Sequence, residues 1–242
     1  MKCIILSDIH GNLHALQAVL ERIARDVQPD ACILLGDLID YGPHSNEVVE
    51  LIRQQSWPVL ANVRGNHEAA IFSDQRDRFS SDRGRQSSAY TERTLTDESR
   101  RYILEEMSEG GQYEFTVAGK RCLAVHGSLA DEYWKSIFPD SDLAGYETYD
   151  YVFSGHSHQP HCFAHFYRAD NPATRNKKKT VFVNPGSVGQ PRNLNPRAQF
   201  AVWDTESNEI LLLSEAYDIA AEQAAFTGQV DDFYKIRLEA GI

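Results

Sequence analysis

The stretch Cys3-Ile4-Ile5-Leu6-Ser7-Asp8-Ile9-His10 is an apolar, β-branched run that stops on a carboxylate and an imidazole. Such a short run bounded by polar residues predicts a buried strand. After it, Leu13, Leu16, Leu20, Ile23 and Val27 recur at the three-to-four spacing of one helix face, and Asn12 is placed to cap the first turn. The alternation continues: Ala31 to Leu35 predicts a second strand, Asn46 to Gln54 a second helix and Pro58 to Val63 a third strand. A βαβαβ order predicts a parallel sheet with right-handed crossovers.

From Ser73 to Arg101 the chain turns polar, and apolar spacing returns only around Tyr90 to Leu95 and Tyr102 to Met107. This predicts a helical insertion around 73–108, with Thr96 capping its second helix and Asp97 and Glu98 in the first turn. The second half is strand-rich. Gln112 to Val117 and Lys120 to Val125 flank Ala118-Gly119, a tight hairpin signal. Further strands are expected at Tyr151 to Ser154, Cys162 to Tyr167, Val181 to Asn184, Gln199 to Asp204 and Ile210 to Ser214. A tail from Asp218 should form two helical pieces broken near Gly228.

Composition narrows the function classes. With 24 Lys plus Arg against 35 Asp plus Glu, the net charge of −11 argues against a nucleic-acid scaffold, which needs a basic stripe. No apolar run approaches the ~20 residues of a membrane span, and the start carries no signal-peptide pattern, so a cytoplasmic protein is expected. Cys3, Cys32, Cys122 and Cys162 lack metal-binding spacing and are expected to be buried, reduced thiols.

The informative residues sit where apolar runs stop. The first ends in Asp8 and His10, the second in Gly36-Asp37, and the third in Arg64-Gly65-Asn66-His67-Glu68. Val125 is followed by His126-Gly127, and Phe153 by Ser154-Gly155-His156-Ser157-His158. Five strands thus deliver Asp, Asn or His at their carboxyl ends, the edge where open α/β sheets bind ligands. In extended chain, residues two apart point the same way, so Asp8 can act with His10 and His156 with His158, whereas Asn66 and His67 should diverge. Asp8, His10, Asp37, Asn66, His126, His156 and His158 combine oxygen and imidazole donors without thiolate. That set suits Mn, Fe, Zn, Co or Ni, and seven ligands imply two ions, which Asp37 could bridge at about 3.5–4 Å. His14, His44, His161 and His165 fall outside this pattern and are expected to have no catalytic role.

The order Asp-x-His, Gly-Asp, Gly-Asn-His-Glu, a lone His and Gly-His-x-His resembles the calcineurin-like metallophosphoesterase superfamily over essentially the whole chain. The flanks around Gly36 to Ile52, Val63 to Glu68 and Asn184 to Arg192 resemble its small YfcE-type phosphodiesterases. The resemblance implies a single domain over 1–242 with a four-layer α/β/β/α sandwich, two mixed β-sheets flanked by helices. It implies one ion on Asp8, His10, Asp37 and His158, and a second on Asp37, Asn66, His126 and His156. Manganese is the first expectation, with Fe, Zn, Ni or Co as alternatives, and His67 is the unligated catalytic histidine.

The reaction so implied is hydrolysis of a phosphate ester, chiefly a diester, by in-line attack of a water bridging the two ions. A small phosphate ester or nucleotide-like molecule is the expected substrate, with Arg64 and Arg192 near its phosphate. Phosphomonoesterase or Ser/Thr protein phosphatase activity is an alternative, although Tyr41 stands where the protein phosphatases carry a phosphate-binding Arg. A non-catalytic interaction module of the Vps29 type is the alternative from another class. Specificity is expected from the insertion and from Leu129 to Tyr149, where Tyr133, Trp134 and Phe138 could stack on a base or sugar.

Overall fold

Alternate residues of the first two β-branched runs face opposite sides of a sheet, and both sides are buried. A computed structural model describes residues 1–173, 175 and 177–242. In chain order these form β1 (Lys2–Leu6), α1 (Leu13–Asp26), β2 (Ala31–Leu34), α2 (Ser45–Arg53), β3 (Val59–Asn62), α3 (Asn66–Phe72), α4 (Asp82–Thr94) and α5 (Asp97–Glu105). There follow β4 (Gln112–Val117), β5 (Lys120–Val125), β6 (Tyr151–Ser154), β7 (His161–Phe166), β8 (Lys179–Asn184), β9 (Ala198–Asp204), β10 (Ile210–Glu215), α6 (Ile219–Ala224) and α7 (Phe233–Ala240).

Among the described residues the strands make two five-stranded sheets, ordered β10-β9-β1-β2-β3 and β4-β5-β6-β8-β7. β1, β2 and β3 are parallel, as the βαβαβ order requires, and β9 joins β1 antiparallel. In the second sheet β5, β6 and β8 are parallel between antiparallel β4 and β7. Both sheets are therefore mixed.

The side-chain alternation explains the layers. Ile4 and Leu6 pack with Leu16, Val19 and Ile23 of α1 and with Val48 and Val49 of α2. Cys3 and Ile5 face the other way, onto Cys122, Ala124, Phe153 and Val183 of the second sheet and onto Trp203. The two sheets thus share a core, an α/β sandwich. The outer face of the second sheet (Leu123, Val125, Val152, Phe182) is covered by Ile137, Leu143, Tyr146 and Tyr149 from the irregular segment 129–149.

Local signals are realised where expected. The Asn12 side chain accepts from Ala15 N at 3.0 Å and Thr96 from Ser99 N at 3.2 Å, each an N-cap. Ala118 and Gly119 both take positive φ, the two-residue hairpin turn that joins β4 to β5. The four thiols are free, and Cys3, Cys32 and Cys122 are buried. Cys162 differs from expectation: it is exposed, because β7 is an edge strand. No helix among the described residues is long and apolar enough to cross a membrane.

Candidate metal centre

All seven donor residues converge at the carboxyl ends of parallel strands of the two sheets. Asp8 and His10 follow β1, Asp37 follows β2, Asn66 opens α3 after β3, His126 follows β5, and His156 and His158 follow β6. The backbone that aims them is not extended, as the spacing rule had assumed. Asp8, His10, Asp37, His156 and His158 all have positive φ, between 49° and 63°, beyond the last paired residue of each strand. This left-handed conformation is sparsely populated for residues other than glycine and clusters at functional sites. Cross-links between strand ends hold it: Asp8 N donates to Gly36 O (3.1 Å), His10 N to Asp37 O (2.9 Å) and Gly155 N to His126 O (2.9 Å). Gly65 is required for a different reason, since a Cβ there would sit 2.1 Å from Asp37 Oδ1.

The donor atoms form two groups that share Asp37. One is Asp8, His10, Asp37 and His158; the other is Asp37, His126 and His156, each with its ligand atoms within 4.8 Å of one another. Asn66 Oδ1 lies 3.0 Å from His126 Nε2 and 2.9 Å from His156 Nδ1, which places it in the second group.

The first group fits a cation on electrostatic grounds. His10 Nδ1 faces Ile39 O at 3.2 Å and His158 Nδ1 faces Gln190 O at 2.5 Å, so both imidazoles carry their proton on Nδ1 and turn the Nε2 lone pair inward. Those two Nε2 atoms are 3.3 Å apart. Asp8 Oδ1 and Asp37 Oδ2 join them, and neither buried oxygen has a hydrogen-bond partner. Four lone-pair atoms facing one another without a donor is unfavourable, and a bound cation resolves it.

The titration pattern has the same origin. Burial disfavours charge on every imidazole, and it dominates at His10, at His156 (lowered to about 3) and at His158 (lowered to about 4). At His126 and His67 burial is outweighed, chiefly by Asp37, and His126 rises to about 9. Burial also pushes the Asp8 and Asp37 carboxyls up, but the surrounding histidines prevail and hold both below the usual range.

His67 stands apart from both groups. Its Nδ1 lies 2.7 Å from Asp40 Oδ2, and its Nε2 points inward, 4.0 Å from Asp37 Oδ2. Asp40 was not among the residues singled out in the sequence. It is fully buried and accepts from Ser87 Oγ, from Thr91 Oγ1 (3.1 Å) and from Tyr41 N (2.7 Å). Its spacing three residues after Asp37 was the available signal, whereas Ser87 and Thr91 lie on α4 and carried none. Glu68 was also missed as a contributor. Its buried carboxylate accepts from Gly65 N (2.8 Å), Asp37 N (2.9 Å) and Leu38 N (2.8 Å), tying the ends of β2 and β3 together.

A cleft of about 240 Å³ opens beside the cluster, lined by Tyr41, His67, Phe79, Trp134 and Arg192 among others. The buried Arg192 Nε has no hydrogen-bond partner. Arg64 is elsewhere: its guanidinium donates to the carbonyls of Ile103 (3.1 Å), Leu104 (3.2 Å) and Glu109, fixing the end of α5, and it does not line the cleft. Of the aromatics expected to stack on substrate, Trp134 lines the cleft, Tyr133 is buried, and Phe138 packs on His161.

Comparison with known proteins gives concordant results. The profile of the calcineurin-like phosphoesterase superfamily domain matches residues 1–208. The uncharacterized protein MJ0912 of Methanocaldococcus jannaschii is 30% identical over 228 residues, which is 89% of this chain and 87% of that one. A metallophosphoesterase from Sphaerobacter thermophilus is 28% identical and superposes with a TM-score of 0.73 over 100% of both chains. The hypothetical protein PH1004 of Pyrococcus horikoshii OT3 is 21% identical with a TM-score of 0.82 over 100% of this chain and 98% of that one, a likeness of fold.

Proposed function

The chain belongs to the calcineurin-like phosphoesterase superfamily, and from that premise we propose that it is a metal-dependent phosphodiesterase working with two divalent ions. The observation that carries this reading is the convergence of Asp8 Oδ1, Asp37 Oδ2 and the inward-facing Nε2 atoms of His10 and His158 without a donor among them. Asp8, His10, Asp37 and His158 would hold one ion; Asp37, Asn66, His126 and His156 would hold the other, with manganese first in expectation. When bound, such ions supply positive charge to the phosphoryl oxygens and acidify the attacking water.

The remaining work falls to the chain's own groups. His67, held by Asp40 through Nδ1, turns its Nε2 inward at the cleft, where it would hold the proton to be delivered. As the water oxygen bonds to phosphorus and the ester P–O bond breaks, His67 Nε2 gives its proton to the departing alkoxide. Arg192 lines the cleft and would offer its guanidinium to a non-bridging oxygen. Arg78, the cleft's other guanidinium, is already paired with Asp131 at 2.5 Å. One available guanidinium matches the single charge of a diester better than the double charge of a monoester. The faces of Phe79 and Trp134 favour a substrate with a planar or sugar group, as in a nucleotide. The buried free thiols accord with a reducing, cytoplasmic setting.

The test is hydrolysis of bis-p-nitrophenyl phosphate beside p-nitrophenyl phosphate, with manganese, for the wild type and His67→Ala. The reading predicts manganese-dependent turnover with the diester preferred and a large loss in the variant. Absence of turnover on either ester under metal loading would instead favour an interaction module.

A further inference from the structure

Two histidines outside the candidate centre meet a carboxylate from the far end of the chain. His14 lies in the first turn of α1, His44 precedes α2, and Glu222 lies on α6. Glu222 Oε2 is 2.7 Å from His14 Nδ1 and also accepts from the His14 backbone N–H, while Oε1 is 3.2 Å from His44 Nδ1. The three ligand atoms lie within 4.8 Å of one another.

The carboxylate is fully buried, and no Lys or Arg among the described residues pairs with it. A buried carboxylate needs a positive partner, and the two imidazoles are the groups at hand. The imidazole side chains remain 31% and 20% exposed, so the cluster is sealed on the Glu222 side and open to solvent on the other. Two imidazoles and one carboxylate form a ligand set that suits zinc, whose borderline character favours nitrogen with oxygen.

We propose that His14, His44 and Glu222 form a third metal site, for zinc, which pins the C-terminal segment to α1 and α2. On binding, each imidazole gives up its Nδ1 proton from the present hydrogen bond and keeps one on Nε2. The purpose is positional. α6 leads into α7, whose Tyr234 stacks on Tyr41 at 4.2 Å between ring centroids, and Tyr41 lies edge-on to His67 at 4.3 Å. An ion at Glu222 would steady the wall of the catalytic cleft without entering it.

The experiment loads the full chain with zinc, removes excess by desalting and counts zinc per chain by elemental analysis, for the wild type, His14→Asn and His44→Asn. Each variant should retain one equivalent less than the wild type and show a smaller zinc-induced rise in Tm. Equal zinc counts in all three would overturn the site, including when the variants melt lower, since that outcome marks a hydrogen-bonded clamp only. Should a variant fail to fold, anomalous scattering at the zinc edge from zinc-loaded wild-type crystals decides. A peak among the three side chains supports the site, and no peak there overturns it.

Discussion

His67 Nδ1 and Asp40 Oδ2 are 2.7 Å apart, with both side chains buried, so the imidazole is held in one orientation by a carboxylate that takes no part in either donor group. Asp40 is in turn fixed by Ser87 and Thr91 of α4. This helix therefore backs the histidine.

This coupling predicts a hierarchy of rates. His67→Ala should lower kcat by roughly 10²–10⁴, the usual share of general acid catalysis, with metal content unchanged. Asp40→Asn should lower it less, and the double variant should be no worse than His67→Ala alone, because the two residues act as one unit. Steady-state kinetics with elemental analysis of each variant checks this.

Metal removal should be visible in stability as well as in turnover. Manganese at about 100 times its Kd should stabilise the fold by about 2.7 kcal/mol for each ion bound through mass action, and chelation should reverse the gain and abolish hydrolysis. Asp37→Asn should lose most of that response, since Asp37 is common to both donor groups. Thermal melts with and without manganese measure it.

Glu68 should matter for stability although it touches no donor atom's cleft face. Glu68→Gln keeps the shape but turns an amide NH₂ toward backbone donors at Gly65 and Asp37 or at Leu38. Leaving a buried donor unsatisfied costs about 1–3 kcal/mol, readable from chemical denaturation.

Asp131 positions Trp134 at the cleft, accepting from Trp134 N at 3.1 Å and Tyr133 N at 3.2 Å while pairing with Arg78. Burial pushes its carboxyl up, but Arg78 and the two amides prevail and lower it. A lowered carboxyl contributes stability above its unfolded value of about 3.9 and loses it as pH falls through the folded value. The link should thus be constant from pH 5 to 8 and fail only in acid. Asp131→Ala should raise KM about fivefold at neutral pH, the loss of roughly one hydrogen bond, with little change in kcat.

Much of this molecule is legible in its sequence because the signals are local. β1 is announced by Cys3 to Leu6, α1 by Leu16 and Ile23, and the donors by what ends each strand. The face-to-face packing of Ile5 on Phe153 depends on contacts far apart in sequence, and no periodicity encodes it; the family resemblance supplied it. The left-handed φ of Asp8 and His156 was hidden for another reason, since Asp and His visit this region more than most side chains but still sparsely, and the surrounding strand ends select it here. Arg64 looked available beside Asn66, yet its donors are taken by carbonyls at the end of α5. Glu222 joins His14 only through tertiary structure, across most of the chain.

Anomalous diffraction at the manganese edge from manganese-loaded crystals tests the central claim most directly. Two peaks are predicted on either side of Asp37, one beside Asp8, His10 and His158 and the other beside Asn66, His126 and His156. A fully loaded crystal with no manganese between these side chains would contradict the account.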